Sequence, residues 1–439
     1  MAGHGERPSR EERVIDAIDV QNRDLRDIDR HRKYAKMARS PYRFFRGTNH
    51  LFWADVAHDW RIDLYGGAPD TRTWLQGDAH VHNHGAYGDD RQGVHFGMDD
   101  FDDAFVGDYQ YDLWRHAASM MLDAEENAGL PRDKARRAIR HFVTSYLDTL
   151  AAGRLAEEIH VAYEDPPLDH FMAKVLKKRG VNRQLDKWTV PGDDGERVFD
   201  TEYRKLGGVS AAERAQLHKA MTEQYPTTLV ADADGLRREP RVVDIARRID
   251  AGTGSLGADR FYALAREQAH DADDYLILDI KQQTEPPALA VFDEARVHNR
   301  NEEFEHEGDR HAAAARALSQ HPDAYIGWLS LGDAWFSVKR RSPYKKDFPT
   351  HKIGGFKAYR NLTRQWGRIL AREHLRGAAY LEPDNPARFA RTIGERIGTE
   401  RETFKRLIVE FAETYAERTR HDYAAFMAQR APSDQTASG

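Results

Sequence analysis

The chain of 439 residues sets 66 Lys and Arg against 72 Asp and Glu, a formal net charge of −6, with 40% apolar residues, 31% charged residues and no cysteine. That length allows a large core shared by two or three structural units. The mild charge gives no case for a nucleic-acid partner, and the missing cysteine excludes disulfides, thiolate zinc sites and cysteine nucleophiles. No window approaches the roughly 20 apolar residues of a membrane span, and the first residues carry no secretory apolar segment. The expectation is therefore no membrane partner and a cytoplasmic location.

In chain order, residues 1–12 are polar and small and read as a frayed N-terminus, as do 430–439 at the other end. A charged helix is expected from Glu12 to about Arg39, followed by the aromatic and basic cluster Ser40–Gly47. A short strand around Thr73–Gln76 leads into the histidine-rich segment Gly77-Asp78-Ala79-His80-Val81-His82-Asn83. Gly85–Tyr87 and Val94–Phe96 flank a polar turn and predict a hairpin. Leu113, Ala117, Met120 and Ala124 mark one helix, and Ile139, Phe142, Tyr146 and Leu150 a second that starts at Pro131. Residues 13–175 thus form one part of a helical unit, and 176–239 read as an insertion or helical subdomain. Over 240–345 the period changes to strands at Val242–Ile245, Tyr275–Ile280, Tyr325–Trp328 and Ala334–Val338. Residues 346–429 return to helix. The fold class expected is α+β.

The sharpest chemical signal lies in the first half. A kinase-type catalytic loop needs an acceptor for the substrate's proton and, five residues on, an Asn that binds magnesium; a second metal ligand follows a hairpin. Asp78 and Asn83 have that spacing, and Asp100-Phe101-Asp102-Asp103 begins 17 positions after Asn83. The same loop carries His80, His82 and His84 in alternation, which on a strand would face one side and suit a zinc-dependent hydrolase.

The second half holds Gly252-Thr253-Gly254-Ser255-Leu256-Gly257, a full Gly-x-Gly-x-x-Gly. In a dinucleotide fold it would open a helix over Ala258–Gln268, with Asp279, 22 positions after Gly257, as its acidic partner. In a kinase it links two strands over the phosphates, and a Lys on the third strand holds them. Lys281 occupies that place, with Glu302, Glu303, Glu305 and Glu307 as candidate ion partners. Only the kinase reading uses both halves. Because the catalytic loop precedes the glycine loop, it requires a circular permutation, which a site tolerates since it depends on placement in space.

The chain resembles the bacterial family called domain of unknown function 2252. The resemblance rests on Met37 with Ser40–Gly47, on Gly77-Asp78-Ala79-His80 with Asn83 and Gly85, and on Asp100-Phe101-Asp102 with Gly107 and Asp112-Leu113. It continues through the Gly252–Gly257 loop, Lys281, Asp323 to Trp328, Leu370-Ala371-Arg372 with His374, and Tyr415-Ala416 with Asp422-Tyr423, about residues 35 to 425. Two positions depart from the family's usual pattern: Asp99 stands where Asn is usual, and Lys281-Gln282-Gln283 where Lys-Glu-Ala is usual. Separately, the Gly-Asp-x-His-x-x-Asn and Asp-Phe-Asp-Asp elements are similar to those of aminoglycoside and choline kinase relatives. That similarity implies a two-lobed, protein-kinase-like fold with a helical large lobe and a small antiparallel sheet lobe. It implies Asp78 as base, Asn83, Asp100 and Asp102 as magnesium ligands, and Gly252, Gly254, Ser255, Gly257 and Lys281 as ATP-binding residues. The expected function is phosphoryl transfer from ATP to a small-molecule acceptor, with a catalytically degenerate nucleotide sensor as the alternative beside the zinc hydrolase.

Overall fold

Helix Gln110–Glu126 runs through the interior, and every residue from Gln110 to Ala124 is buried. It is enclosed by helices Pro41–Gly47, Arg132–Ala151 and Arg401–Gln429. The computed structural model describes residues 8–430 apart from 89–92, 154–155, 160, 162, 232–234, 236, 250–256, 268–274 and 293–303. Gly252, Gly254, Ser255, Glu302 and Glu303 therefore lie outside the described residues.

The strands are β1 Arg72–Leu75, β2 His84–Gly88, β3 Val94–Met98, β4 Phe105–Asp108, β5 Thr189–Pro191, β6 Arg197–Phe199, β7 Leu206–Gly207, β8 Pro240–Arg248, β9 Arg260–Glu267, β10 Tyr275–Gln283, β11 Gly327–Leu331, β12 Ala334–Arg340 and β13 Lys346–Asp347. They form four sheets: the pair β1-β4, the set β13-β2-β3, the ribbon β5-β6, and a six-stranded sheet ordered β11-β12-β10-β9-β8-β7. All described pairings are antiparallel. The protein is α+β, mainly helical with small antiparallel sheets.

Period-two alternation builds both faces of the large sheet. Phe261, Ala263, Leu276, Leu278 and Ile280 point one way, against Leu217, Met221 and Tyr225 of the segment that precedes β8. Tyr262, Leu264, Tyr275 and Ile277 point the other way, against Leu185, Trp188 and Phe199. Residues 181–228 thus cover both faces of the sheet and add β7 to its edge. At the end of β10 the second face passes from apolar to charged, at Asp279 and Lys281.

Two expectations change in detail. The charged N-terminal stretch is two helices, Arg10–Gln21 and Asp27–Met37, because the Asn22 side chain turns back to donate to the Ile18 carbonyl at 2.6 Å and ends the first. Arg260–Glu267 is a strand paired with β8, so the glycine stretch joins two antiparallel neighbours where a dinucleotide fold would begin a helix. Asp279, the acidic residue that reading needed, is instead ion-paired to Arg260.

Helices Arg132–Ala151 and Phe356–Leu381 cross so closely that a Cβ on Gly367 would stand 2.4 Å from the Phe142 carbonyl oxygen. Overpacking against backbone costs about 1–3 kcal/mol. Gly367→Val should therefore lower stability by about 2 kcal/mol or more in urea unfolding. Gly394→Ala, helical with open space where its Cβ would go, should be neutral or gain up to about 1 kcal/mol.

Candidate functional site

The buried helix Gln110–Glu126 carries polar residues at a spacing that puts them on one stripe, and each takes hold of the histidine-rich loop. The Asp112 carboxylate accepts the backbone N–H groups of Gln76 and Gly77 at 2.7 and 3.2 Å. The Arg115 guanidinium donates to Asp78 Oδ1, 2.7 Å from Nε. Ser119 Oγ accepts the Val81 N–H at 3.1 Å, and Asp123 Oδ1 meets His82 Nε2 at 3.0 Å. Gly77 is required where it stands: its φ is +72°, and a Cβ there would fall 1.7 Å from the Asp103 carbonyl oxygen. Asn49 clamps the same approach, donating to the Gly77 carbonyl and to Asp103 Oδ2.

Behind the loop a second buried layer supports Asp112. His374 Nε2 lies 3.3 Å from Asp112 Oδ2, and the Tyr146 hydroxyl 2.8 Å from His374 Nδ1. Beside it Gln76 Nε2 donates to Glu373 Oε2 at 2.9 Å. Burial pushes the Glu373 carboxyl up to about 8, against the opposing pull of Arg372.

Asp78 is about one-fifth exposed, and Arg115 holds only its Oδ1; His80 Nε2 stands 3.6 Å from Oδ2. Burial raises Asp78 above the usual carboxylate range although Arg115 and Arg46 oppose it. Arg115 is itself held over the Phe45 and Phe52 rings, 4.3 and 5.0 Å from their centroids. Asn83 donates Nδ2 to the Asp78 carbonyl at 2.9 Å, which leaves its Oδ1 as an acceptor.

Asn83, Asp100, Asp102 and Lys281 come together in one cleft of about 350 Å³. Asp78 does not line it, whereas Arg46 and His82 do. Lys281 Nζ contacts Asp102 Oδ2 across 179 positions of sequence, and Gln283 Nε2 donates to Asp102 Oδ1 at 3.1 Å. The four glutamates proposed for Lys281 do not supply its partner among the described residues: Glu307 pairs with Arg310 at 2.5 Å. Helix Glu307–Leu318 instead brings His311 Nε2 to 3.7 Å from Asp102, and Arg310 donates to the Asp102 and Ala104 carbonyls.

The Asp102 charge faces Asp100, and two neighbouring carboxylates cannot both ionise freely. Asp100 is open to the water of the cleft, yet enough protein surrounds that water to push it up to about 6, and the Asp102 charge adds to the effect. Burial works against Asp102 as well, but Lys281 overrides it and holds Asp102 well below the usual range. A hard cation suits this donor set, two crowded carboxylates and the free amide oxygen of Asn83. No three or more His, Cys, Asp or Glu converge on one point among the described residues.

The histidine alternation leads nowhere in common. Val81–Asn83 is a 3₁₀ turn, so the rings diverge: His80 to Arg46, His82 to Asp123 and Thr350, His84 to His116. Gly257, the described end of the glycine stretch, has φ +97° and rests against Leu25. It does not line the cleft, whereas Arg248 and Arg260, which bracket that stretch, do. Sequence reasoning passed over Lys339, Lys345 and Arg115. The basic run Lys339-Arg340-Arg341-Ser342-Pro343-Tyr344-Lys345-Lys346, which starts at the end of β12, was the visible signal for the two lysines. A larger cavity, about 710 Å³, lies elsewhere and holds none of these groups.

A family model described as "Uncharacterized protein conserved in bacteria (DUF2252)" matches residues 30–429. The chain belongs to this family. No curated protein and no solved structure matches it. Asp99 lies on the acidic turn, and Gln283, at the end of β10, reaches it from the sheet. Lys345 pairs with Asp99 at 3.0 Å and Lys339 donates to the Asp99 carbonyl at 3.0 Å, so the extra charge is met. Gln283 bridges Asp102 and Ser337.

Glu373 has a clear pH signature. Its folded value lies above the usual 4.5, so the stability present below pH 4.5 is lost as the pH rises toward 8. Glu373→Gln removes that loss. Relative to the parent, its unfolding free energy from urea titration should improve between pH 5 and pH 8.5 by on the order of 3 kcal/mol.

Proposed function

We propose that this DUF2252 protein is a circularly permuted, kinase-like phosphotransferase that moves a phosphoryl group from ATP to a small-molecule hydroxyl or amine. The observation that carries the proposal is the Lys281–Asp102 contact. It joins the third strand after a glycine-containing hairpin to the acidic turn that follows a loop with Asp78 and Asn83. A glycine hairpin, a lysine strand and a helix in that order are the parts of a kinase small lobe, and the Asp-x₄-Asn loop with a later acidic turn belongs to the large lobe. The permutation follows from their order in the chain.

Bound magnesium would supply charge neutralisation on the β- and γ-phosphates. Asp100, Asp102 and Asn83 are the residues that would hold it, and a cation there also relieves the crowding of the two carboxylates. Lys281 would draw phosphate oxygens into the cleft, with Lys339 and Lys345 keeping its rim positive beside Asp99. Asp78 Oδ2, left free by the grip of Arg115 on Oδ1, is the site for the acceptor's proton. The acceptor forms its bond to the γ-phosphorus as the bond to the β-phosphate oxygen breaks, the proton passes to Asp78, and ADP leaves.

The roles separate experimentally. Asp100→Ala should weaken magnesium-dependent ATP binding in calorimetry. Asp78→Asn should bind ATP nearly as the parent does while its phosphate release falls by roughly 10²-fold or more, the usual worth of a general base. Tight ATP binding with a phosphate-release rate indifferent to both substitutions would turn the assignment to a nucleotide sensor.

A further inference from the structure

The larger cavity, about 710 Å³, opens between helices Arg132–Ala151, Glu307–Leu318, Phe356–Leu381 and Arg388–Ile397, and shares no lining residue with the cleft. Here the wall is made of side chains too small to fill the space, among them Ala151, Ala317, Ala379, Ala390 and Gly394. A volume of this size falls in the range of small-molecule sites.

Its charge is one-sided. The described lining has Arg316, Arg376 and Arg391 against Glu157. The Arg376 side chain is only 15% exposed and pairs with Glu157 at 2.6 Å. Arg316 spends Nη2 on the carbonyl oxygens of Thr228 and Ile326, at 3.1 and 2.9 Å, and pairs with no carboxylate among the described residues. Burial lowers both guanidinium groups from the usual arginine value. Tyr380, about half exposed, stands at the rim.

We infer that this cavity binds a small amphiphilic anion, its acyl or aryl body against the alanine wall and its carboxylate or phosphate head on Arg316 and Arg376. The inference stands apart from phosphoryl transfer, since the cavity exists whatever the cleft does. It also has a physical line to the cleft: Arg316 lies on the helix whose Arg310 and His311 face Asp102, so an occupant bears on the element that positions the acidic turn.

Thermal unfolding of the full chain tests it, with dodecanoate and dodecyl phosphate below their micelle concentrations and dodecanol as the neutral control. The anionic probes should raise the midpoint by several degrees, growing with the logarithm of their excess over Kd, and dodecanol by clearly less. Ala390→Trp, which fills the cavity, should abolish the shift while leaving magnesium-ATP affinity as in the parent. Ala379→Phe, on another helix, repeats the test should the first variant fold poorly. A shift of equal size from dodecanol overturns the anionic head. No shift at all, or a shift that survives both filled variants, overturns the site.

Discussion

A polar stripe on a buried helix is the constraint on which the rest of this structure depends. Asp112, Arg115, Ser119 and Asp123 would each be costly in the interior unless paired. Each is paired with a successive part of the loop from Gln76 to His82. The helix therefore cannot bury itself without fixing the loop, and the loop cannot leave without stranding four polar groups. Packing energy from the surrounding core, with Trp53, Trp114 and Trp366 wholly enclosed, is thereby converted into the position of Asp78 and Asn83.

The cleft places its charges with the same economy. Acidic residues converge from the turn at 99–103, and cations arrive from the other half of the chain: Lys281 on β10, Lys339 on β12 and Lys345 beyond it. The contact between Lys281 and Asp102 is thus a constraint on the fold. It docks the six-stranded sheet against the helical core and leaves Asp100, crowded by Asp102, as the carboxylate with most to gain from a cation. Asp99 and Asp102 leave no unmet charge on this turn, because Lys345 pairs with Asp99 and Gln283 donates to Asp102.

Some of this was legible in the residues. The Asp78–Asn83 spacing, the hairpin before Asp100 and the lysine on an apolar strand pointed to residues that the structure gathers in and around one cleft. The reasons are local: short spacings and period-two alternation survive in sequence. The polar stripe was not legible, since Asp112, Arg115, Ser119 and Asp123 read as the solvated face of an amphipathic helix until tertiary burial reverses the reading. The segment after Asp165 was opaque for a similar reason: its apolar residues serve a sheet that begins at Pro240, so their periodicity had no visible partner. The partner of Lys281 was sought on the next helix, where kinases keep a glutamate, and was found in the acidic turn. His80, His82 and His84 misled in the other direction, because alternation in sequence means a shared face only on a strand, and this segment is a 3₁₀ turn.

We propose that two distant parts of the chain make one nucleotide site at Asp100, Asp102, Asn83 and Lys281. The most direct measurement is anomalous diffraction from crystals grown with manganese and a non-hydrolysable ATP analogue. The account predicts a manganese peak about 2.2 Å from carboxylate oxygens of Asp100 and Asp102, with the analogue's phosphates between that peak and Lys281. A peak at the diverging histidines, or nucleotide bound away from Lys281, would contradict it.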